Sequence, residues 1–164
     1  MLRTRGLTKQ FGGLIAVDDV DFALGDELCS LIGPNGAGKT TFCDLLTGAL
    51  EPTAGTIELA GDLDVLLLDE PNAGVSSESV DEIIALIDDV ADDHAVLLVE
   101  HNMDVVMNVS DRVVVLHQGT IIADGDLETV RNDPAVQEAY LGGDEPDADN
   151  TGETNATDTE GSAA

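Results

Sequence analysis

Gly33-Pro34-Asn35-Gly36-Ala37-Gly38-Lys39-Thr40-Thr41 follows an apolar run, Leu28 to Ile32, and opens a stretch with Phe42, Leu45 and Leu46 at helical spacing. Gly-x-x-x-x-Gly-Lys-Thr between a strand and a helix is the pattern of a phosphate-cradling loop. The glycines let successive backbone N–H groups turn inward where a Cβ would block the approach. The helix N-terminus adds its partial positive charge at the same place. Lys39 can reach the β- and γ-phosphates, and the Thr40 hydroxyl can coordinate Mg²⁺. The stretch therefore points to a nucleoside triphosphate. A plain glycine-rich turn is the alternative, and the full strand–loop–helix setting argues against it.

On either side of the loop the chain alternates buried strands with helices. Leu14 to Leu24, interspersed with Asp18, Asp19 and Asp21, reads as an antiparallel strand with one buried face. Glu51 to Gly55 is a predicted turn and Thr56 to Ala60 a short strand. Asp64 to Glu70 is a second fully buried strand, expected beside the glycine-loop strand. Val80, Ile83, Ile84, Ile87 and Val90 predict an amphipathic helix over Glu78 to Asp93. Ala95 to Val99 is a third buried strand, and Met103 to Val109 is helical. Arg112 to Leu116 and Thr120 to Ala123 form a pair around Gln118-Gly119, and short helices follow over Asp126 to Asn132 and Pro134 to Leu141. The pattern predicts an α/β fold with a mostly parallel sheet wrapped by helices.

The second buried strand stands apart in ending Asp69-Glu70-Pro71. Ligands of open α/β sheets bind at the C-terminal edge of the strands, where these carboxylates would lie. Asp69 is placed to hold Mg²⁺, and Glu70 to polarise an attacking water as general base. The alternative is a pair of solvated acids in an acidic chain. His101, after the third buried strand, could reach the γ-phosphate from another side, although a lone strand-end histidine is more often a surface residue. His94 and His117 read as turn residues without a role. Cys29 and Cys43, at unrelated spacing, read as small core residues in a reducing compartment.

The chain has 164 residues, 34 Asp and Glu against 6 Lys and Arg, and a formal charge of −28. Nucleic acid and anionic membrane surfaces are poor partners for such a chain. The acids are scattered through every segment, which favours a whole-surface adaptation to high salt over a local acidic function. No run approaches the roughly 18 apolar residues of a membrane span, and Met1 to Arg5 lacks the apolar core of a signal peptide. A cytoplasmic location is expected. From Asp144 to Ala164 there are seven acids and no base, a composition that predicts disorder.

Together these segments resemble the ATP-binding cassette (ABC) ATPases. Gly33 to Thr41 is similar to the family's Walker A loop, Val65 to Glu70 to its Walker B strand with the catalytic glutamate at Glu70, and His101 to its switch histidine. Ala73-Gly74-Val75-Ser76-Ser77 stands at the D-loop. Phe11, a core residue by composition alone, matches the aromatic on which the family stacks adenine. Phe11 to Val17, Glu100 to Met107 and Ala139 to Gly142 resemble the ATP-binding subunit of branched-chain amino acid importers; urea and short-amide importers carry similar segments. The resemblance implies ATP and Mg²⁺ as ligands, with nucleotide contacts from Phe11 and Gly33, Pro34, Asn35, Gly36, Ala37, Gly38, Lys39, Thr40 and Thr41. Thr40 and Asp69 would be the metal ligands, with Glu70 and His101 catalytic. The implied partners are membrane-spanning permease subunits and a second ATP-binding subunit, at the inner face of the cell membrane.

Two of the family's elements between Walker A and Walker B have no counterpart. One is a glutamine that touches Mg²⁺; the other is the Leu-Ser-Gly-Gly-Gln signature on a helical subdomain. The chain's glutamines are Gln10, Gln118 and Gln137, and its Gly-Gly pairs are Gly12-Gly13 and Gly142-Gly143. The resemblance thus implies a truncated nucleotide-binding domain over residues 1–143, with a deletion junction near 58–62. It also implies impaired hydrolysis, because the signature supplies charge stabilisation across the family's dimer interface. A catalytically silent nucleotide-binding remnant is the alternative. Other phosphate-loop classes fit worse: with lysines at Lys9 and Lys39 alone there is no Asn-Lys-x-Asp for guanine, and after the loop only Arg112 and Arg131 could serve as kinase lid arginines.

Overall fold

Strand β3 (Leu28–Ile32) is buried at every residue because both of its faces are covered. Its alternate side chains enter different cores: Cys29 and Leu31 one, Leu28 and Ile32 the layer opposite. The same period of two sorts β6 (Ala95–Val99) and β7 (Arg112–His117), with Leu97 and Val114 on the first side and Val96 and Val115 on the second. Each fully buried leucine or valine of this kind contributes about 1.5–3 kcal/mol relative to an exposed one. The computed structural model describes residues 1–143. The predicted disorder of 144–164 lies outside the described residues.

The larger sheet runs β5 (Val65–Asp69), β6, β3, β7, β8 (Thr120–Gly125), parallel except for the β7–β8 pair. The second sheet is antiparallel, with β1 (Leu2–Phe11) between β2 (Leu14–Leu24) and β4 (Ala54–Leu59). Helix α1 (Lys39–Thr47) and the antiparallel sheet fill the core on one face of the larger sheet, where the Phe22 and Phe42 rings meet edge to face at 5.5 Å. Helices α2 (Val80–Ala91), α3 (Met103–Val109), α4 (Leu127–Arg131) and α5 (Pro134–Gly143) cover the other. Arg112 ties the two sheets. Its guanidinium donates to Asp124 at 2.7 and 2.8 Å, to Glu27 at 2.9 Å and to the Ala23 carbonyl at 2.6 Å.

The expected α/β class with its mostly parallel sheet is the observed one, and the antiparallel strand expected over Leu14 to Leu24 belongs to a separate sheet. Several details differ. β1 was not predicted: Leu2 to Arg5 alternates, but the phase changes at Gly6-Leu7, where the pairing with β2 slips, and Lys9 and Gln10 follow in succession. β5 pairs with β6, so one strand separates it from β3. Its residues Val65 to Leu68 are only partly buried and Asp69 is exposed, contrary to the prediction of full burial. The physical reason is position: β5 is an edge strand, and among the described residues nothing pairs with its outer side. His117 closes β7 instead of lying in a turn. Phe11 is 45% exposed at the end of β1, with Lys9 Nζ 5.2 Å from its ring centroid, so the core reading from composition fails.

Candidate nucleotide-binding site

The glycine loop leaves β3 at Gly33 and enters α1 after Gly38. At Gly38 φ is 104°, and a Cβ there would lie 2.4 Å from the Ala16 carbonyl oxygen; only glycine meets both demands. No side chain caps α1, so the amides of its first turn stay open to the cleft in front of it. The Gln118-Gly119 turn braces the loop from behind: Gly119 N donates to the Ala37 carbonyl and Asp18 N to the Gly119 carbonyl, both at 2.8 Å.

The cleft has a volume of about 540 Å³. It brings together Asn35 through Thr41 with Asp69 and Glu70. The strand order explains the meeting. Asp69 stands in register with Val99, and Glu70 N donates to the Val99 carbonyl at 2.7 Å. The carboxylates thus arrive at the same sheet edge as the glycine loop although β5 does not touch β3. Gly33 and Pro34 lie at the loop's base, where their carbonyl oxygens accept from Lys39 Nζ. Burial pushes the Lys39 ammonium below its ordinary value, and the charges of Glu70 and Asp69 act against that shift. Phe11 lies outside the cleft's lining; Leu14, Ile15 and Ala16 of β2 form that wall instead.

His101 joins the same edge. Its Nδ1 is 3.1 Å from Oε1 of Glu70, with side chains 66% and 39% exposed, so both groups are reachable from the cleft mouth. Glu70 adopts φ 49°, unusual for a side chain of this size, which bends the chain sharply just beyond β5. Chemically the arrangement offers an ammonium and open amides for an anion, a hydroxyl and a carboxylate as hard oxygen donors, and a second carboxylate backed by an imidazole.

Sequence reasoning missed contributors at three places in the chain. Gln118 and Gly119 carried only a turn signal. Leu14 and Ile15 are exposed apolar residues at a strand end, indistinguishable in sequence from core positions. Glu100 passed as one more acid, yet it is fully buried.

Comparison with known proteins shows what the chain is similar to. The family model described as ABC transporter matches residues 17–63, and the one described as branched-chain amino acid ATP-binding cassette transporter matches residues 120–146. LivG, the high-affinity branched-chain amino acid transport ATP-binding protein of Salmonella typhimurium, is 28% identical over 249 aligned positions that take in 87% of this chain and 98% of LivG. With 164 residues in the chain, roughly a hundred of those positions have no counterpart in it. In fold, a nucleotide-free ATP-binding cassette from an ABC transporter matches with a TM-score of 0.78 at 20% identity, covering 85% of this chain and 98% of that one. The ADP conformation of MJ1267, an ATP-binding cassette of an ABC transporter, matches with a TM-score of 0.77 at 20% identity, covering 87% and 98%. The chain is thus similar to ATP-binding cassette transporter proteins, LivG among them, and is shortened relative to LivG.

Proposed function

We propose that this chain is an ATP-binding subunit of an importer of the branched-chain amino acid type, able to bind Mg-ATP but impaired in turnover. The observation that carries the first half is the single cleft lined by Lys39, Thr40, Asp69 and Glu70. Lys39 and the amides opening α1 would hold the phosphates; Phe11, outside the cleft's lining, would reach only a base that extends past Leu14 and Ile15. Thr40 and Asp69, a hydroxyl and a carboxylate lining the same cleft, fit Mg²⁺, which when bound neutralises phosphate charge. Glu70 would take the proton of the attacking water, and His101 would steady Glu70 through Nδ1 and face the terminal phosphate. The transport class follows the match over residues 120–146 and the likeness to LivG.

Impairment follows from the passage between β4 and β5. Among the described residues no helix lies between Leu59 and Val65, and the match over residues 17–63 breaks off there. This supports residues 1–143 as a nucleotide-binding domain shortened near 58–62, without the helical subdomain that carries the family's signature. The same passage favours the second reading, a nucleotide-binding remnant without turnover. In an intact assembly the partners would be permease subunits and a second ATP-binding subunit, on the cytoplasmic side of the membrane; no helix among the described residues is long and apolar enough to cross one.

Titration of the protein with Mg-ATP in concentrated KCl tests the reading. Lys39→Ala removes the cation nearest the phosphates and should weaken binding at least about tenfold, equivalent to about 1.4 kcal/mol. Equal affinities would remove the glycine-loop assignment.

A further inference from the structure

Glu100 is a carboxylate with no exposed surface, and the nearest ionisable nitrogen, His101 Nδ1, stands 4.0 Å from its Oε2, beyond hydrogen-bond distance. Every neighbour donates to it. The backbone amides of His101 and Asn102 each reach Oε2 at 3.1 Å. The hydrogen-bonding partners orient the Asn72 amide so that its nitrogen donates to both carboxylate oxygens, 2.8 Å at Oε2, while its oxygen accepts from Asn102 Nδ2 at 3.0 Å. Glu100 N in turn donates to the Leu31 carbonyl of β3 at 3.3 Å. A buried carboxylate costs several kcal/mol unless such charge-assisted bonds satisfy it. This one is satisfied from both of the segments that carry Glu70 and His101.

We propose that Glu100 is a positioning residue: through Asn72 and the amides of residues 101 and 102 it locks the turn after β5 to the turn after β6, and so sets the Glu70–His101 contact. The proposal rests on the reading of Glu70 and His101 as site residues. The two turns are fastened twice, once at the surface by Glu70 and His101 and once beneath by Asn72, Glu100 and Asn102. The surface bond alone is weak, since water reaches both partners. The buried one has no water to compete with it, so it fixes the geometry. The positive φ at Glu70 adds a reason for the lock, because a strained turn persists only where its surroundings over-determine it.

The test reads His101 itself in the ligand-free protein. In a neutral imidazole, donation to the Glu70 carboxylate requires the proton on Nδ1. Long-range ¹H–¹⁵N spectra, assigned with a His101→Gln control, report that tautomer directly. In Glu100→Ala the ratio should move toward the Nε2–H form by roughly three- to tenfold, the equilibrium worth of one hydrogen bond. Glu100→Gln, which keeps an acceptor for the two amides, should recover part of the shift. A folded Glu100→Ala with an unchanged His101 spectrum overturns the proposal. If Glu100→Ala does not fold, Asn72→Ala cuts the same tie from the other side and is judged by the same two outcomes. Mg-ATP affinity of the parent protein, measured in parallel, tests the nucleotide reading separately.

Discussion

Oε1 of Glu70 and Nδ1 of His101 lie 3.1 Å apart although 31 residues separate them in sequence. Parallel pairing of β5 with β6 produces this meeting, because both strands end at the same sheet edge and both chains turn immediately afterwards. Glu70 is thereby held at the cleft, and in the proposed function its charge faces the phosphates. Glu70→Gln keeps the size and an acceptor for His101 but removes that charge, so Mg-ATP affinity should rise, by roughly two- to tenfold for a relief of about 0.5–1.4 kcal/mol. Asp69→Asn should act in the opposite direction and make affinity insensitive to Mg²⁺. Titrations of both variants with and without Mg²⁺ check this; weaker binding by Glu70→Gln would show that its carboxylate does not face the phosphates.

How far the sequence could be read depended on which residues carried a local signal. The loop from Gly33 to Thr41 combines a motif, a preceding apolar run and a following helical period, so strand, turn and helix were all legible. β6 and β7 were legible for the same reason: both faces are buried and the run is apolar throughout. β1 was not, because a central strand of a small two-sided sheet can carry Arg3, Arg5 and Lys9 and still pair on both edges. The place of β5 was not legible either. Val65 to Leu68 is as apolar as Ala95 to Val99, and composition does not distinguish an edge strand from a central one. Glu100 shows the limit for single residues: whether a carboxylate is solvated or enclosed depends on partners such as Asn72, remote in sequence and invisible until the strands are paired.

The titration of buried groups predicts loss of stability at alkaline pH. Burial pushes the Cys29 and Cys43 thiols from an ordinary 9.0 up to about 12, and burial likewise raises the Tyr140 phenol from 10.0 to about 12 against the opposing hydrogen bond with the Gly33 backbone. In each case the folded value lies above the unfolded one, so the folded state holds protons that the unfolded state has lost. Stability should be unaffected by these groups below about pH 9 and should fall as pH rises from about 9 to about 12. Urea midpoints across that range, at constant KCl, measure the slope. Replacing both cysteines with alanine should flatten it. An equal slope in the double variant would mean that the thiols are not the source.

Net charge predicts the opposite kind of dependence on salt. At −28, with Asp18, Asp26, Asp62, Asp64, Asp92 and Asp93 among acids on several faces, self-repulsion opposes the compact state. The screening length falls from about 10 Å at 0.1 M to about 3 Å at 1 M salt, so most of this repulsion persists at ordinary ionic strength. Thermal midpoints should climb by several degrees as KCl rises well beyond physiological strength. A flat or falling midpoint would remove the reading of the acidity as an adaptation to salt.

Turnover separates an impaired ATPase from an intact one. The chain keeps Lys39, Thr40, Asp69, Glu70 and His101, the groups expected to bind Mg-ATP and to position the water. Between β4 and β5 it has no helix on which a signature could be presented. Charge supplied across an interface is worth on the order of 10³ to 10⁵ in rate in comparable phosphoryl-transfer systems. The isolated protein should therefore bind ATP and hydrolyse it more slowly than an intact cassette ATPase by about that factor. A complete homologous subunit, added in excess, could restore at most the site built on this chain's glycine loop, because the opposite site would still lack a signature from this chain. Radiolabelled ATP under single-turnover conditions, with this chain alone and then mixed with the complete subunit, measures both rates. Robust hydrolysis by the chain alone that Glu70→Gln abolishes would show that catalysis here needs no signature. Binding without detectable hydrolysis, and without rescue by the complete subunit, would leave the nucleotide-binding remnant as the function.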